Sequence, residues 1–127
     1  MAILPYLFSM KDVQWMGNSL KVLREFSDAV KQGVGYALYM AQHGETAPQA
    51  KRMKGLGGGV YEIVEDHDTD TYRAVYIARL KTGIYVLHAF QKKSTRGVKT
   101  SQRDVELIGR RLKAAEAMDK KLIKERG

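Results

Sequence analysis

Thr71-Tyr-Arg-Ala-Val-Tyr-Ile-Ala-Arg-Leu80, Lys81-Thr-Gly83 and Ile84-Tyr-Val-Leu-His-Ala-Phe-Gln-Lys-Lys93 form one continuous stretch of the chain. Both long runs are rich in β-branched and aromatic residues, and the three residues between them end in glycine. That pattern reads as two strands joined by a tight turn. Just upstream, Val60 to Glu65 has the same character and is separated from Thr71 by the polar run Asp66-His-Asp-Thr-Asp70. Three consecutive strands with short connections predict an antiparallel meander. The Asp66–Asp70 run lacks the glycine and distal glutamate of an EF-hand loop, so it reads as a solvated hairpin tip and not as a calcium site.

Helical patterns lie on either side of the meander. Val13 to Met16 reads as a short edge strand or a turn, and Gly17-Asn18-Ser19 as a turn leading to a helix cap. Leu20, Leu23 and Phe26 give a short amphipathic helix. A second helix, capped by Ser27, carries Val30, Val34, Ala37, Leu38 and Ala41 at helical spacing and ends by Gly44. These two predict an N-terminal αα-hairpin, with Gly33 and Gly35 allowing the two helices to pack closely. Ala47 to Gly59 is a basic, glycine-rich connector, read as a mobile turn that places Lys51, Arg52 and Lys54 beside the sheet. It lacks the Gly-Lys-Ser/Thr ending of a P-loop and precedes a strand instead of a helix, so it is not a nucleotide cradle. After a basic loop from Ser94 to Thr100, Ser101 and Asp104 give a capping signature for a final helix reaching about Arg126. Its apolar stripe is Val105, Ile108, Leu112, Ala115 and Leu122.

The expected fold is therefore a single α+β domain over residues 1–127, with helices packed on one sheet face. Residues 1–12 form an apolar leader and residues 117–127 a basic helical tail. The leader is too short to span a bilayer and lacks a signal-peptide pattern, so no membrane partner is expected. The absence of cysteine excludes disulfides and thiolate metal sites and fits a reducing, cytoplasmic setting. Net charge is +8, with a pI near 9.7. From His88 onward there are twelve Lys or Arg against five Asp or Glu, a net +7. The C-terminal third would thus meet a polyanion first, and nucleic acid is the favoured partner.

Strand alternation sorts the candidate chemistry. Arg73 shares a face of its strand with Val75 and Ile77, and strict alternation puts Ile84, Val86, His88, Phe90 and Lys92 on one face of the next. If register brings Arg73 to the His88–Lys92 end, a guanidinium, an imidazole, an aromatic ring and ammonium groups converge. That set suits RNA cleavage without a metal or other cofactor. The ribose 2′-OH must lose a proton as it attacks the phosphate, the leaving 5′-oxygen must gain one, and cations must stabilise the phosphorane. Arg73, His88, Lys92 and Lys93 are the catalytic candidates. Lys51, Arg52, Lys54, Phe90, Arg96 and Lys99 are candidates for holding RNA, Phe90 by stacking. Structural alternatives stand beside these roles: a strand histidine held by hydrogen bonds, a core phenylalanine, and an arginine paired with a carboxylate.

Several short motifs, in this order and spacing, carry a resemblance. They are Trp15-x-Gly17-Asn18-Ser19, Lys54-Gly55-Leu56-Gly57, Tyr72-Arg73-Ala74-Val75-Tyr76, Val86-Leu87-His88-Ala89-Phe90-Gln91-Lys92-Lys93-Ser94, Lys99-Thr100 and the Asp104–Leu112 helix. From Val13 to Glu116 the chain resembles the phage-derived Gp49-like proteins, a HigB-type branch of the RelE/ParE toxin superfamily. The resemblance implies a RelE-like fold and the toxin half of a type II toxin–antitoxin pair. It also implies mRNA cleavage in the ribosomal A site and neutralisation by a helix-turn-helix antitoxin. Some RelE relatives use a tyrosine or histidine near the C-terminus. The tail after Asp104 has neither, so their acid–base roles do not carry over. ParE-type relatives share the fold and act on gyrase, which leaves a non-nuclease inhibitor, or a phage-derived RNA-binding protein, as the alternatives.

Overall fold

A computed structural model describes residues 10–92 and 99–127. In chain order it contains β1 (Val13–Trp15), α1 (Ser19–Arg24), α2 (Asp28–Gln42), β2 (Ala50–Arg52), β3 (Val60–His67), β4 (Asp70–Ile77), β5 (Ile84–Lys92) and α3 (Gln102–Arg126). The strands form one sheet in the order β1-β5-β4-β3-β2. β1 runs parallel to β5, and each other neighbouring pair is antiparallel. The chain is thus α+β, and its mixed five-stranded sheet with a C-terminal helix is compatible with a RelE-like fold. No described helix is long and apolar enough to cross a membrane.

The expected meander forms the centre of the sheet, and two short strands extend it at the edges. β2 lies inside the glycine-rich connector that was expected to be a mobile turn. Ala50, Lys51 and Arg52 pair with Ile63, Glu62 and Tyr61 of β3. The rest of the connector is tethered. Arg79 donates from Nε to the Gly58 carbonyl at 2.7 Å and from Nη2 to Glu116 Oε2 at 2.7 Å. A Cβ on Gly59 would lie 2.9 Å from the Arg79 Cβ and Cγ, and Gly59 also has φ +80°, so glycine is required there. The β3–β4 hairpin is longer than its polar sequence implies. His67 pairs with Asp70, leaving a two-residue turn of Asp68 (φ 49°) and Thr69 (φ 70°), the backbone handedness favoured in tight hairpins.

Helices cover both faces of the sheet, not one. On one face, Leu23 and Phe26 with Val30, Val34, Ala37 and Leu38 of α2 pack on Ile63, Ala74, Tyr76, Ile84, Val86 and Ala89. On the other, Ile108, Leu112 and Ala115 of α3 pack on Val60, Val75, Ile77, Tyr85, Leu87 and Phe90. Each fully buried aliphatic side chain contributes about 1.5–3 kcal/mol through area removed from water. The central strands carry apolar residues toward both layers because both layers are filled. Ser27 and Ser101 cap α2 and α3 as expected, accepting from the Val30 and Asp104 amides at 3.4 and 3.1 Å. Gly33 serves the sheet instead of a helix pair. A Cβ there would lie 2.5 Å from the Glu65 carboxylate of β3, and a Cβ on Gly35 would meet nothing.

α3 returns antiparallel along β5 and is fixed at its far end by a buried carboxylate, Asp119. Thr82 donates its amide (2.8 Å) and hydroxyl (2.6 Å) to Asp119 Oδ1, and the Lys81 amide donates to Oδ2 at 3.4 Å. Because that hydroxyl proton is committed, the Tyr85 hydroxyl donates to Thr82 Oγ1. Burial alone would raise Asp119. The Thr82 and Lys81 hydrogen bonds and the charge of Lys11 outweigh it and hold the carboxyl below its ordinary value. The part of α3 expected as a basic tail therefore begins as an anchor. Asp119→Ala should lower the unfolding free energy in urea by about 2–3 kcal/mol, since it leaves buried donors facing no acceptor. An unchanged midpoint would show that this carboxylate does not hold the β4–β5 turn.

Candidate functional site

One irregularity in β5 sets which side chains meet α3. Val75 pairs with His88 but the next residue, Tyr76, pairs with Val86, so Leu87 is an extra residue in the ladder. Strict alternation therefore fails. Ile84 and Val86 pack toward α1 and α2, whereas Leu87 and Phe90 pack toward α3. Beyond the bulge the even-numbered residues face α3, and Phe90 is the direct partner of Arg73. Register thus brings Arg73 to the His88–Lys92 end. The faces expected from the sequence hold for β4 and for the second half of β5, but not for Ile84 and Val86.

His88 lies between two charged residues of α3. Its Nε2 is 2.9 Å from Asp104 Oδ1, and its Nδ1 is 3.4 Å from Arg111 Nη1. Phe90 stacks beneath the imidazole with ring centroids 4.7 Å apart. Lys92 Nζ stands 5.8 Å from the Phe90 centroid and 3.9 Å from Asp104 Oδ2. Ser101 donates its hydroxyl to that same Oδ2 at 2.8 Å. His88 is held below the ordinary imidazole value, chiefly by burial. The hydrogen bond and charge of Asp104 oppose this, and Arg111 adds to it. Burial would raise Asp104, but hydrogen bonds from His88 and Ser101 and the nearby positive charge of Lys92 hold it low. At neutral pH the pair is a carboxylate accepting from a neutral imidazole.

Arg73 occupies the adjoining position and faces protein partners. Its Nη1 is 3.3 Å from Glu62 Oε1 and 3.0 Å from Thr100 Oγ1, and Thr100 donates in turn to Glu62 Oε2. Thr100 immediately precedes the cap of α3, so this pair ties the start of that helix to the sheet. Arg73 and His88 are each 7% exposed, and Phe90 is 9%. One face of the Phe90 ring, expected to offer a base a stacking surface, is covered by the imidazole. The remaining candidates separate. Lys51 lies across from Glu62, in the cross-strand row that continues through Val75 to His88, and so belongs to the α3 side. Arg52 falls in the next row, with Tyr61 and Tyr76, on the opposite face. Lys54 and Lys99 are exposed. Lys93 and Arg96 lie outside the described residues. Among the described residues no cluster of three or more His, Cys, Asp or Glu is arranged to hold a metal.

Asp104, Glu62, Thr100 and Arg111 are members of this constellation that residue-by-residue reading missed. The signal was present for two of them. Asp104 and Arg111 stand four before and three after Ile108, on the stripe that faces the sheet. A charged residue on such a stripe needs a partner inside.

The profile of a known family, described as phage derived protein Gp49-like (DUF891), matches residues 21–113. That span contains Arg73, His88, Lys92, Asp104 and Arg111, and the chain belongs to this family. A search of curated proteins and a search of solved structures each gave no significant match.

Two measurements probe the geometry. Arg73→Ala takes the cation from a pair whose side chains are 9% and 13% exposed, and should cost about 3–5 kcal/mol in urea unfolding. The double change Arg73→Met with Glu62→Leu should recover much of that loss. The lowered His88 value means the unfolded chain binds a proton more readily. Its stabilising contribution is complete above the unfolded imidazole value of about 6.5 and declines as pH falls from there through the folded value. The urea midpoint of the parent protein should therefore drop in that window. His88→Asn, less stable throughout, should lose that part of the slope.

Proposed function

We propose that the chain is the toxin of a type II toxin–antitoxin pair, cleaving mRNA in the ribosomal A site in the cytoplasm and held inactive by a helix-turn-helix antitoxin. Family membership supports the toxin reading at the family level, and the basic C-terminal third favours an RNA partner. The observation that carries the catalytic part is the carboxylate–imidazole pair beside an ammonium group. Asp104 accepts from His88 Nε2, which leaves Nδ1 as the basic nitrogen, and Lys92 stands next to the carboxylate. In this reading the Arg111 Nη1 bond to Nδ1, at 3.4 Å longer than its 3.0 Å bond to the Leu87 carbonyl, gives way, and the 2′-OH proton passes to Nδ1 as the 2′-oxygen bonds to phosphorus. The bond to the 5′-oxygen breaks, and that oxygen takes a proton from the Lys92 ammonium. The products are a 2′,3′-cyclic phosphate and a 5′-hydroxyl. Asp104 keeps the imidazole oriented and stabilises the imidazolium, as a carboxylate does in other acid–base triads. Arg73 acts through Thr100 by holding the start of α3. Lys51, Lys54 and Lys99 add positive charge for an RNA backbone.

The burial of His88 and Phe90 favours a second reading, a non-nuclease that binds RNA, gyrase or another protein through its exposed cations. Induced expression separates the two. The nuclease reading predicts growth arrest with fragmented mRNA, relieved by co-expressed antitoxin. Lys92→Ala and His88→Ala should lower cleavage by about 10²–10⁴-fold, the usual worth of a positioned acid or base. Arrest with intact mRNA and accumulating DNA damage would instead identify a gyrase-type inhibitor.

A further inference from the structure

Gly17-Asn18, part of the N-terminal motif, lies far from the strands in sequence and meets α3 at Arg111. Arg111 Nη2 donates to Asn18 Oδ1 at 2.9 Å, and Nη1 donates to the Leu87 carbonyl at 3.0 Å. Gly17 has φ +55°, and a Cβ there would lie 2.6–2.7 Å from the guanidinium. Glycine is therefore demanded by the backbone and by the arginine packed against it. The guanidinium is held at three points: the turn before α1, the bulge carbonyl of β5, and His88 Nδ1 at 3.4 Å.

The chemistry of the two α3 side chains leaves His88 one arrangement. A guanidinium has only donors, and an ionised carboxylate only acceptors. Arg111 on Nδ1 requires a lone pair there, and Asp104 on Nε2 requires a proton there. A proton on Nδ1 would set two N–H groups against each other. We propose that Arg111, clamped by the Gly17–Asn18 turn, is a positioning residue of this site, fixing His88 as the tautomer with Nε2–H on Asp104 and Nδ1 as the acceptor. The catalytic consequence rests on the reading of His88 as the proton acceptor; the tautomer does not. Among the described residues, the charged groups facing the imidazole are Asp104 and Arg111 from α3 and Lys92 from β5, with the Arg73–Glu62 pair of β4 and β3 alongside and Arg110 next to Arg111.

Nitrogen-15 NMR of the imidazole, followed across pH in the full chain without RNA, tests the assignment. The parent protein should show the Nε2–H tautomer and a His88 midpoint below that of a free imidazole. Arg111→Gln should raise the midpoint, while Asp104 keeps the proton of the neutral ring on Nε2. Arg111→Lys, which keeps the charge, should leave the midpoint low, and Asn18→Ala should raise it by less than Arg111→Gln. A parent tautomer with the proton on Nδ1 overturns the proposal, as does an Arg111→Gln protein whose His88 titrates like the parent. If Arg111→Gln does not fold, Asn18→Ala decides by the same criterion. Cleavage is read separately. In Arg111→Gln the acid limb of the rate–pH profile should move to higher pH with the NMR midpoint. A limb that stays in place overturns the catalytic consequence. A parent protein that never cuts mRNA sinks the nuclease reading and leaves the tautomer assignment standing on the NMR.

Discussion

The extra residue in β5 is the constraint on which the α3 side of the molecule depends. A strand presents alternate side chains to alternate faces, so a regular β5 with Ile84 and Val86 against α1 and α2 would send His88, Phe90 and Lys92 there too. Leu87 shifts the phase by one. The first half of the strand then builds the core under α2, and the second half turns its polar and aromatic side chains to α3 and to Arg73. The displaced Leu87 carbonyl is not orphaned, because Arg111 donates to it. A single backbone feature thus creates the site and recruits one of the residues that orders it.

α3 is attached to the sheet by chemistry as well as by its apolar stripe. Asp104, Arg111 and Asp119 stand along one face of the helix and reach His88, the β5 bulge with the Gly17–Asn18 turn, and the β4–β5 turn. The Arg73–Glu62–Thr100 group secures the residues just before the helix. Apolar packing of Ile108, Leu112 and Ala115 is non-directional and would tolerate small slips. The polar contacts fix the helix lengthwise, and that position decides which imidazole nitrogen meets a carboxylate. Stability and the proposed chemistry therefore share the same residues.

Much of this was legible in the sequence. Period-2 apolar runs with a Lys-Thr-Gly turn gave the antiparallel centre, and helical spacing with Ser27 and Ser101 as caps gave α2 and α3. The edge strands were harder to see. β1 and β2 are three residues each, too short for a periodic signal, and β2 lies in a segment whose glycines suggested mobility. Placement of helices on both faces had a signal that the one-faced expectation passed over: the central strands are apolar on both sides. At the site, residue types were readable, and two strands with a short turn allow Arg73 to lie near the His88–Lys92 end; its direct pairing with Phe90 needs the bulge, without which it would face Ala89. Accessibility was not readable. Nothing local announces that Glu62 will neutralise Arg73 or that an imidazole will cover Phe90. Those are cross-strand and helix–sheet contacts, set by register and by a bulge that has no composition signature.

The central claim is that the His88–Asp104–Lys92 group cuts RNA on the ribosome. The most direct measurement uses a purified translation system with a defined mRNA codon in the ribosomal A site and maps both new ends after adding the protein. The account predicts a cut within that codon, carrying a 2′,3′-cyclic phosphate and a 5′-hydroxyl and absent with the His88→Ala protein. mRNA that stays intact in the presence of folded, growth-arresting protein would contradict it.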